Sequence, residues 1–156
     1  MSIIVKLSDI IDGMESQSDE NSSYLDIETG EVVLISDYEM RAIEDNDSLD
    51  DFPDWEQENL SIARDIINET GRYLELPTKF DINEYEIMER FCLSLEDPQL
   101  SELLYSKIKG GGAFRRFKDA IYQNGIEKDW FAYRDEAIKE MAIEWCNGND
   151  LEFDEQ

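Results

Sequence analysis

Three observations predict an α+β protein in which a small antiparallel β-sheet in the N-terminal half is joined to a mainly helical C-terminal half. Two apolar-rich runs, residues 23–27 and 31–35, flank Glu28-Thr29-Gly30, whose glycine can supply the positive φ that a three-residue hairpin loop demands. A third short run, residues 72–77, has strand character and is expected to add to the hairpin as an antiparallel neighbour. Beyond residue 79, apolar residues recur at helical spacing and are cut into segments by legible caps.

In chain order, residues 3–7 read as a short strand. Leu7, Ile10, Ile11 and Met14 then fall at i, i+3, i+4 and i+7 behind Ser8, a good N-cap, so a helix follows and ends in a polar loop. After the hairpin, Ser36 opens a helix carrying Tyr38, Met40 and Ile43, which gives way to an acidic loop over residues 44–54. Asp54 is read as the cap of a helix whose stripe is Leu60, Ala63, Ile66 and Ile67, ending near Gly71. Asp81 with Glu84 resembles a capping box ahead of Tyr85, Met88, Phe91, Cys92 and Leu95. Asp97 caps the next helix, with Pro98 at its first position and Leu100, Leu103, Leu104 and Ile108 along one face. A helix over residues 114–122 is closed by Asn124-Gly125. The longest stripe comes last, through Trp130, Tyr133, Ala137, Ile138, Met141, Ala142 and Trp145, and this helix is expected to be the central packing element.

The expected organisation is an acidic α+β lobe over residues 1–78, a helical lobe over 79–148 and an acidic tail over 149–156, all within one compact domain. With 156 residues and 41% hydrophobic content, such a chain buries a core without disulfides or metal. No run approaches the roughly eighteen apolar residues of a membrane span, and the N-terminus lacks the pattern of a signal peptide, which implies a soluble cytoplasmic protein. Cys92 and Cys146 lie far apart and form no Cys-x-x-Cys pair, so both read as reduced, packed thiols.

Charge narrows the function classes. The formal net charge is -25, with 21 acids and 4 bases in residues 1–78 against 18 acids and 10 bases in residues 79–156. Long-range repulsion opposes general binding to nucleic acid or anionic membrane and favours basic partners. The chain has no histidine, the commonest general base at neutral pH and the commonest metal ligand. Serine and cysteine triads of the usual kind are therefore excluded, which argues for a binding protein over an enzyme.

One stretch inverts the charge. Residues 107–118 hold five bases and no acid, and Gly110, Gly111 and Gly112 lead into a helix through Phe114 and Phe117. Free N–H groups at a helix N-terminus attract anions, and Arg115, Arg116 and Lys118 add formal charge, so these six residues form a candidate anion site. No Walker A pattern is present and no strand precedes the glycines, which argues against the common nucleotide-binding loops. The competing reading pairs Arg115 and Arg116 with the chain's own carboxylates, such as those of residues 44–58.

Four ordered blocks, residues 24–33 (Tyr-Leu-Asp-x-x-Thr-Gly-Glu-Val-Val), 72–77 (Arg-Tyr-Leu-Glu-Leu-Pro), 110–119 and 130–134, resemble the bacterial uncharacterised protein family 0158 across essentially the whole chain. The resemblance implies kinship and a bacterial cytoplasmic setting, and it brings no catalytic residues with it.

Asp45, Asp47 and Glu56 occupy positions 1, 3 and 12 of an EF-hand count, but position 5 is Leu49, position 6 is Asp50 where the turn wants glycine, and position 9 is Pro53. They remain weak metal candidates in what reads as a solvated, self-repelling loop. No cofactor is implied. The leading expectation is a non-enzymatic interaction module that binds a basic protein partner. The alternative is phosphate or RNA-anion binding at the loop of residues 107–118, and the third is a carboxylate-dependent metal enzyme.

Overall fold

A computed structural model describes residues 3–45 and 49–155. It is the α+β protein that the pattern predicts: a three-stranded antiparallel sheet in the N-terminal half and helices in the C-terminal half. The chain divides into two compact units, one of Met1–Asp81 with Met141–Gln156, the other of Ile82–Glu140.

The first unit opens with β1 (Ile4–Lys6) and α1 (Leu7–Ser16). The hairpin strands β2 (Asn21–Asp26) and β3 (Val32–Ser36) are followed by α2 (Asp37–Glu44), a 3-10 turn at Leu49–Asp51, α3 (Asp54–Ile67) and β4 (Tyr73–Glu75). Strand order is β3-β2-β4, with Leu25 opposite both Val32 and Leu74. Gly30 takes φ 81°, the left-handed geometry its place in the hairpin loop requires. Ser36 and Glu39 form a reciprocal capping box at the start of α2. Tyr24, Ile35 and Ala63 form a buried cluster with Val33, Met40, Ile43, Ile62, Ile66 and Tyr73 around it.

Helix α1 is pressed against the sheet at Gly13, where an added Cβ would lie 2.7 Å from Val32 Cγ1 and 2.8 Å from Leu76 Cδ2. Ser23 Oγ donates to the Gly13 carbonyl at 2.7 Å and fixes this approach. At the end of α1 the buried Gln17 donates from Nε2 to Met14 O at 3.2 Å and to Pro77 O at 2.7 Å, while its Oε1 accepts from Ser23 N at 3.2 Å. A buried amide with all of these partners locates the helix end without an unpaired polar atom.

Residues 149–156, read as an acidic tail, include β5 (Glu152–Asp154), which pairs in parallel with β1 so that Ile4 faces Glu152 and Lys6 faces Asp154. Three caps also differ from the sequence reading. Ser8 lies inside the first turn of α1, whose N-cap is Lys6, the last residue of β1, extended at ψ 124° with no side-chain bond. Asp54 is the first residue of α3, and its N-cap is Pro53, extended at ψ 151° with no side-chain bond. Proline fixes φ there and has no donor to lose, so the aspartate serves inside the first turn, where its charge suits the macrodipole. The capping box assigned to Asp81 and Glu84 is made by Thr78 and Asp81: Thr78 N donates to Asp81 Oδ2 at 3.0 Å and Asp81 N to Thr78 Oγ1 at 3.2 Å. That box opens the short α4 (Lys79–Ile82).

The second unit begins at the end of α4 and contains α5 (Glu84–Ser94), α6 (Pro98–Lys107), α7 (Ala113–Gln123) and residues 127–140 of α8 (Glu127–Gly148). Asn83, left-handed at φ 47°, caps α5 by accepting from Glu86 N. Asp97 caps α6 through Gln99 N and Leu100 N with Pro98 in the first turn, as its sequence requires. An aromatic group fills the core: Phe91 meets Phe117, Trp130 and Tyr133 edge-on at centroid distances of 6.1, 5.4 and 5.4 Å, and Phe117 meets Trp130 at 4.8 Å. Within α8, Trp130, Ile138, Ala142 and Cys146 are buried, while Tyr133, Met141 and Trp145 are half-buried. Tyr85, Leu103 and Phe114, all placed on apolar stripes by spacing alone, are exposed. Arg134 bonds Glu84, joining α8 to the start of α5.

Candidate functional site

The basic stretch lies between the end of α6 and the start of α7. Gly110 and Gly112 are left-handed, at φ 82° and 77°, and Gly112 is the N-cap of α7. Arg116 folds back over this turn: Nε donates to Lys107 O at 2.8 Å, Nη2 to Lys109 O at 2.6 Å and Nη1 to Gly111 O. The last carbonyls of a helix have no internal partner and sit at the negative end of its dipole, and one guanidinium satisfies the end of α6 and the loop beyond it. Arg116 is therefore engaged by backbone oxygens of its own loop, a pairing that a search for carboxylate partners does not anticipate. Arg115 and Lys118 are exposed on α7. The ammonium of Lys109 stands 4.7 Å from the Tyr105 ring centroid. The six sequence candidates thus occupy one loop and helix start, but Arg116 turns into the loop while Arg115 and Lys118 face outward.

Charge is divided unevenly between the units. The first carries 27 acids against 5 bases, a net of -22, and the second 12 acids against 9 bases, a net of -3. One of the first unit's five bases is engaged inside the fold, since Arg72 bonds both oxygens of Asp26 and reaches Glu28 Oε2 at 2.9 Å. The Arg72 guanidinium holds the Asp26 carboxyl down at about 2, with backbone and hydroxyl donors assisting against the cost of burial.

The concave regions of this acidic unit include two bordered by carboxylates. The first, about 450 Å³, lies beside α1 and β3, with Asp9, Asp12 and Glu31 around Ser16, Val32 and Leu34. The second, about 610 Å³, is built from residues 75–78, Asp81 and the α8 residues Met141, Glu144 and Trp145. Leu76, Pro77, Met141 and Trp145 make its apolar surface, and Glu75, Asp81 and Glu144 add three carboxylates. The Trp145 indole is held there by donating from Nε1 to Glu75 O at 3.1 Å. Among the described residues, no base lines either region. The second groove escapes sequence reasoning because its two walls are far apart in the chain; the only local trace is Met141 and Trp145 on the last apolar stripe.

Of the metal candidates, Asp47 lies outside the described residues. Asp45 is the C-cap of α2 and Glu56 belongs to the first turn of α3. Among the described residues, no group of three or more His, Cys, Asp or Glu is placed to hold a metal ion. Both cysteines are buried, and burial pushes the Cys92 thiol up to about 11 and raises that of Cys146, so neither is a ready nucleophile at neutral pH.

The family model described as "Uncharacterised protein family (UPF0158)" matches residues 1–156, and the chain belongs to that family. It is similar to the UPF0158 protein PA5073 of Pseudomonas aeruginosa, with 25% identity over 130 residues that cover 83% of this chain and 73% of the relative. No solved structure matches. Among the described residues, no helix is long and apolar enough to cross a membrane.

Proposed function

We propose that the protein is a non-enzymatic interaction module whose acidic unit engages a basic protein partner in the cytoplasm. The observation that carries this reading is the concentration of charge: a net of -22 resides on one unit, with two concave regions bordered by carboxylates and by no base. A surface of that kind accelerates encounter with cationic partners and repels phosphate backbones and anionic lipids. The lack of histidine, the inert thiols and the absence of a metal-holding cluster among the described residues support binding over catalysis. The test is association of the whole chain with a lysine- and arginine-rich peptide across a salt series, beside capture of partners from a bacterial lysate. Affinity should fall steeply as salt rises, and captured proteins should elute with salt. No association with the peptide at low salt, or captured partners indifferent to salt, would overturn the reading.

A second reading is supported by Arg115 and Lys118, which stand exposed beside the glycine turn: a phosphate group, free or in RNA, would be held there. Its support is narrower, because the Arg116 donors already serve the loop's own carbonyls.

A further inference from the structure

We infer that the groove beside Trp145 is where the basic partner docks, and that it receives an arginine or lysine side chain from an extended segment of that partner. The inference rests on the interaction reading above and assigns it a place. A long cationic side chain has two requirements, an apolar surface for its methylene stem and acceptors for its head, and carboxylates alone meet only the second. Here the half-buried Met141 and Trp145 provide the accessible apolar surface, over a floor of buried Leu76 and Pro77, and Glu75 and Glu144 are exposed acceptors in the same concavity. Trp145 adds an indole face, the best of the aromatic rings for a cation. Its ring is fixed beforehand by the bond to Glu75 O, so little ordering accompanies docking.

The chemistry also selects against other occupants. An anionic ligand would meet three carboxylates and no cation, and an uncharged apolar segment would bury Glu75 or Glu144 without a partner. At about 610 Å³ and open to solvent, the groove has room for residues flanking the cation, which fits an extended chain better than a free amine. The other acidic concavity has Asp9, Asp12 and Glu31 but no aromatic residue, and lacks the feature that discriminates a guanidinium from a simple counterion.

The experiment follows the three tryptophan indole N–H resonances of the whole protein, those of Trp55, Trp130 and Trp145, during titration with a short peptide of alternating arginine and glycine. The Trp145 resonance should shift with occupancy. The pair E75Q/E144Q should weaken binding about tenfold, and the charge-matched pair D19N/E20Q, exposed and outside both concavities, no more than about twofold. Thermal melts accompany each variant, and if the first pair is unstable the single changes Glu144→Gln and Asp19→Asn carry the same comparison. Equal weakening by both sets, or an unmoved Trp145 resonance on saturation, would overturn the groove while leaving the broader reading intact. Failure of the unaltered protein to bind the peptide at low salt would overturn both.

Discussion

Arg72 donates from Nε to Asp26 Oδ1 at 3.0 Å and from Nη2 to Oδ2 at 2.9 Å, and this two-point bond ties the end of the central strand β2 to the residue that leads into β4. The folded Asp26 carboxyl ionises near 2, below its ordinary value of 3.8. A lowered carboxylate pKa contributes stability that is present above the unfolded value and is lost as pH falls through the folded one. Thermal melts should therefore show a loss of stability between about pH 4 and pH 2 that Asp26→Asn largely abolishes, at a cost of about 1–3 kcal/mol near neutrality. An equally steep loss in Asp26→Asn would assign the acid sensitivity elsewhere. Between about pH 7.5 and 5.5 the sign should be opposite, because partial neutralisation of so negative a chain relieves repulsion.

Gly13 is required by space. With Val32 Cγ1 and Leu76 Cδ2 less than 3 Å from a built Cβ, Gly13→Ala forces α1 off the sheet or its neighbours out of their rotamers, at about 1–3 kcal/mol. Gly111→Ala meets nothing within 4 Å and serves as the control, with an expected change within about 0.5 kcal/mol. Similar denaturation midpoints for the two variants would contradict the close packing of α1.

Adjacent arginines should behave differently. Arg116→Gln removes the cation from three backbone carbonyls and should cost about 1–3 kcal/mol, whereas Arg115→Gln at an exposed position should change stability by less than about 0.5 kcal/mol. Urea unfolding distinguishes them. Equal effects would mean that the guanidinium of Arg116 is not the strut of the turn.

The two tryptophans of α8 should separate in the same way. Trp130, buried against Phe91 and Phe117, should cost about 3–5 kcal/mol on truncation to alanine. Trp145 is half-buried and should cost less, about 1–2 kcal/mol, chiefly through lost contact and its bond to Glu75 O. Melting curves in which Trp145→Ala is the more damaging change would invert this picture of the helix.

Much of the fold is legible because it is locally encoded. Gly30 in a hairpin loop, Ser36 with Glu39, and Asp97 before Pro98 each determine structure through residues only a few positions away. The misread starts have local competitors: Pro53 takes the cap position from Asp54, and Thr78 claims Asp81 for α4, leaving Asn83 to open α5. Strand β5 escapes because Phe153 is the only apolar residue in a three-residue element and its partner β1 is far away in the chain. At the basic loop, composition identifies the cluster but not the aim of Arg116, since carbonyl acceptors are common to every residue and leave no mark in side-chain identity. The groove is hidden for another reason: its carboxylates are unremarkable among 39 acids until Trp145 is placed beside them.

The parallel pairing of Ile4 with Glu152 and Lys6 with Asp154 makes a strand translated early wait for one translated much later. At elongation rates of about 5–20 residues per second, β1 is synthesised roughly 7–30 s before β5. Throughout that interval the nascent chain presents a strand without its ladder partner, an edge open to pairing with other extended chains. All the residues of the second unit, 82–140, have by then been translated. The later-encoded unit can complete its folding first, and the first-encoded unit closes only once β5 has been made.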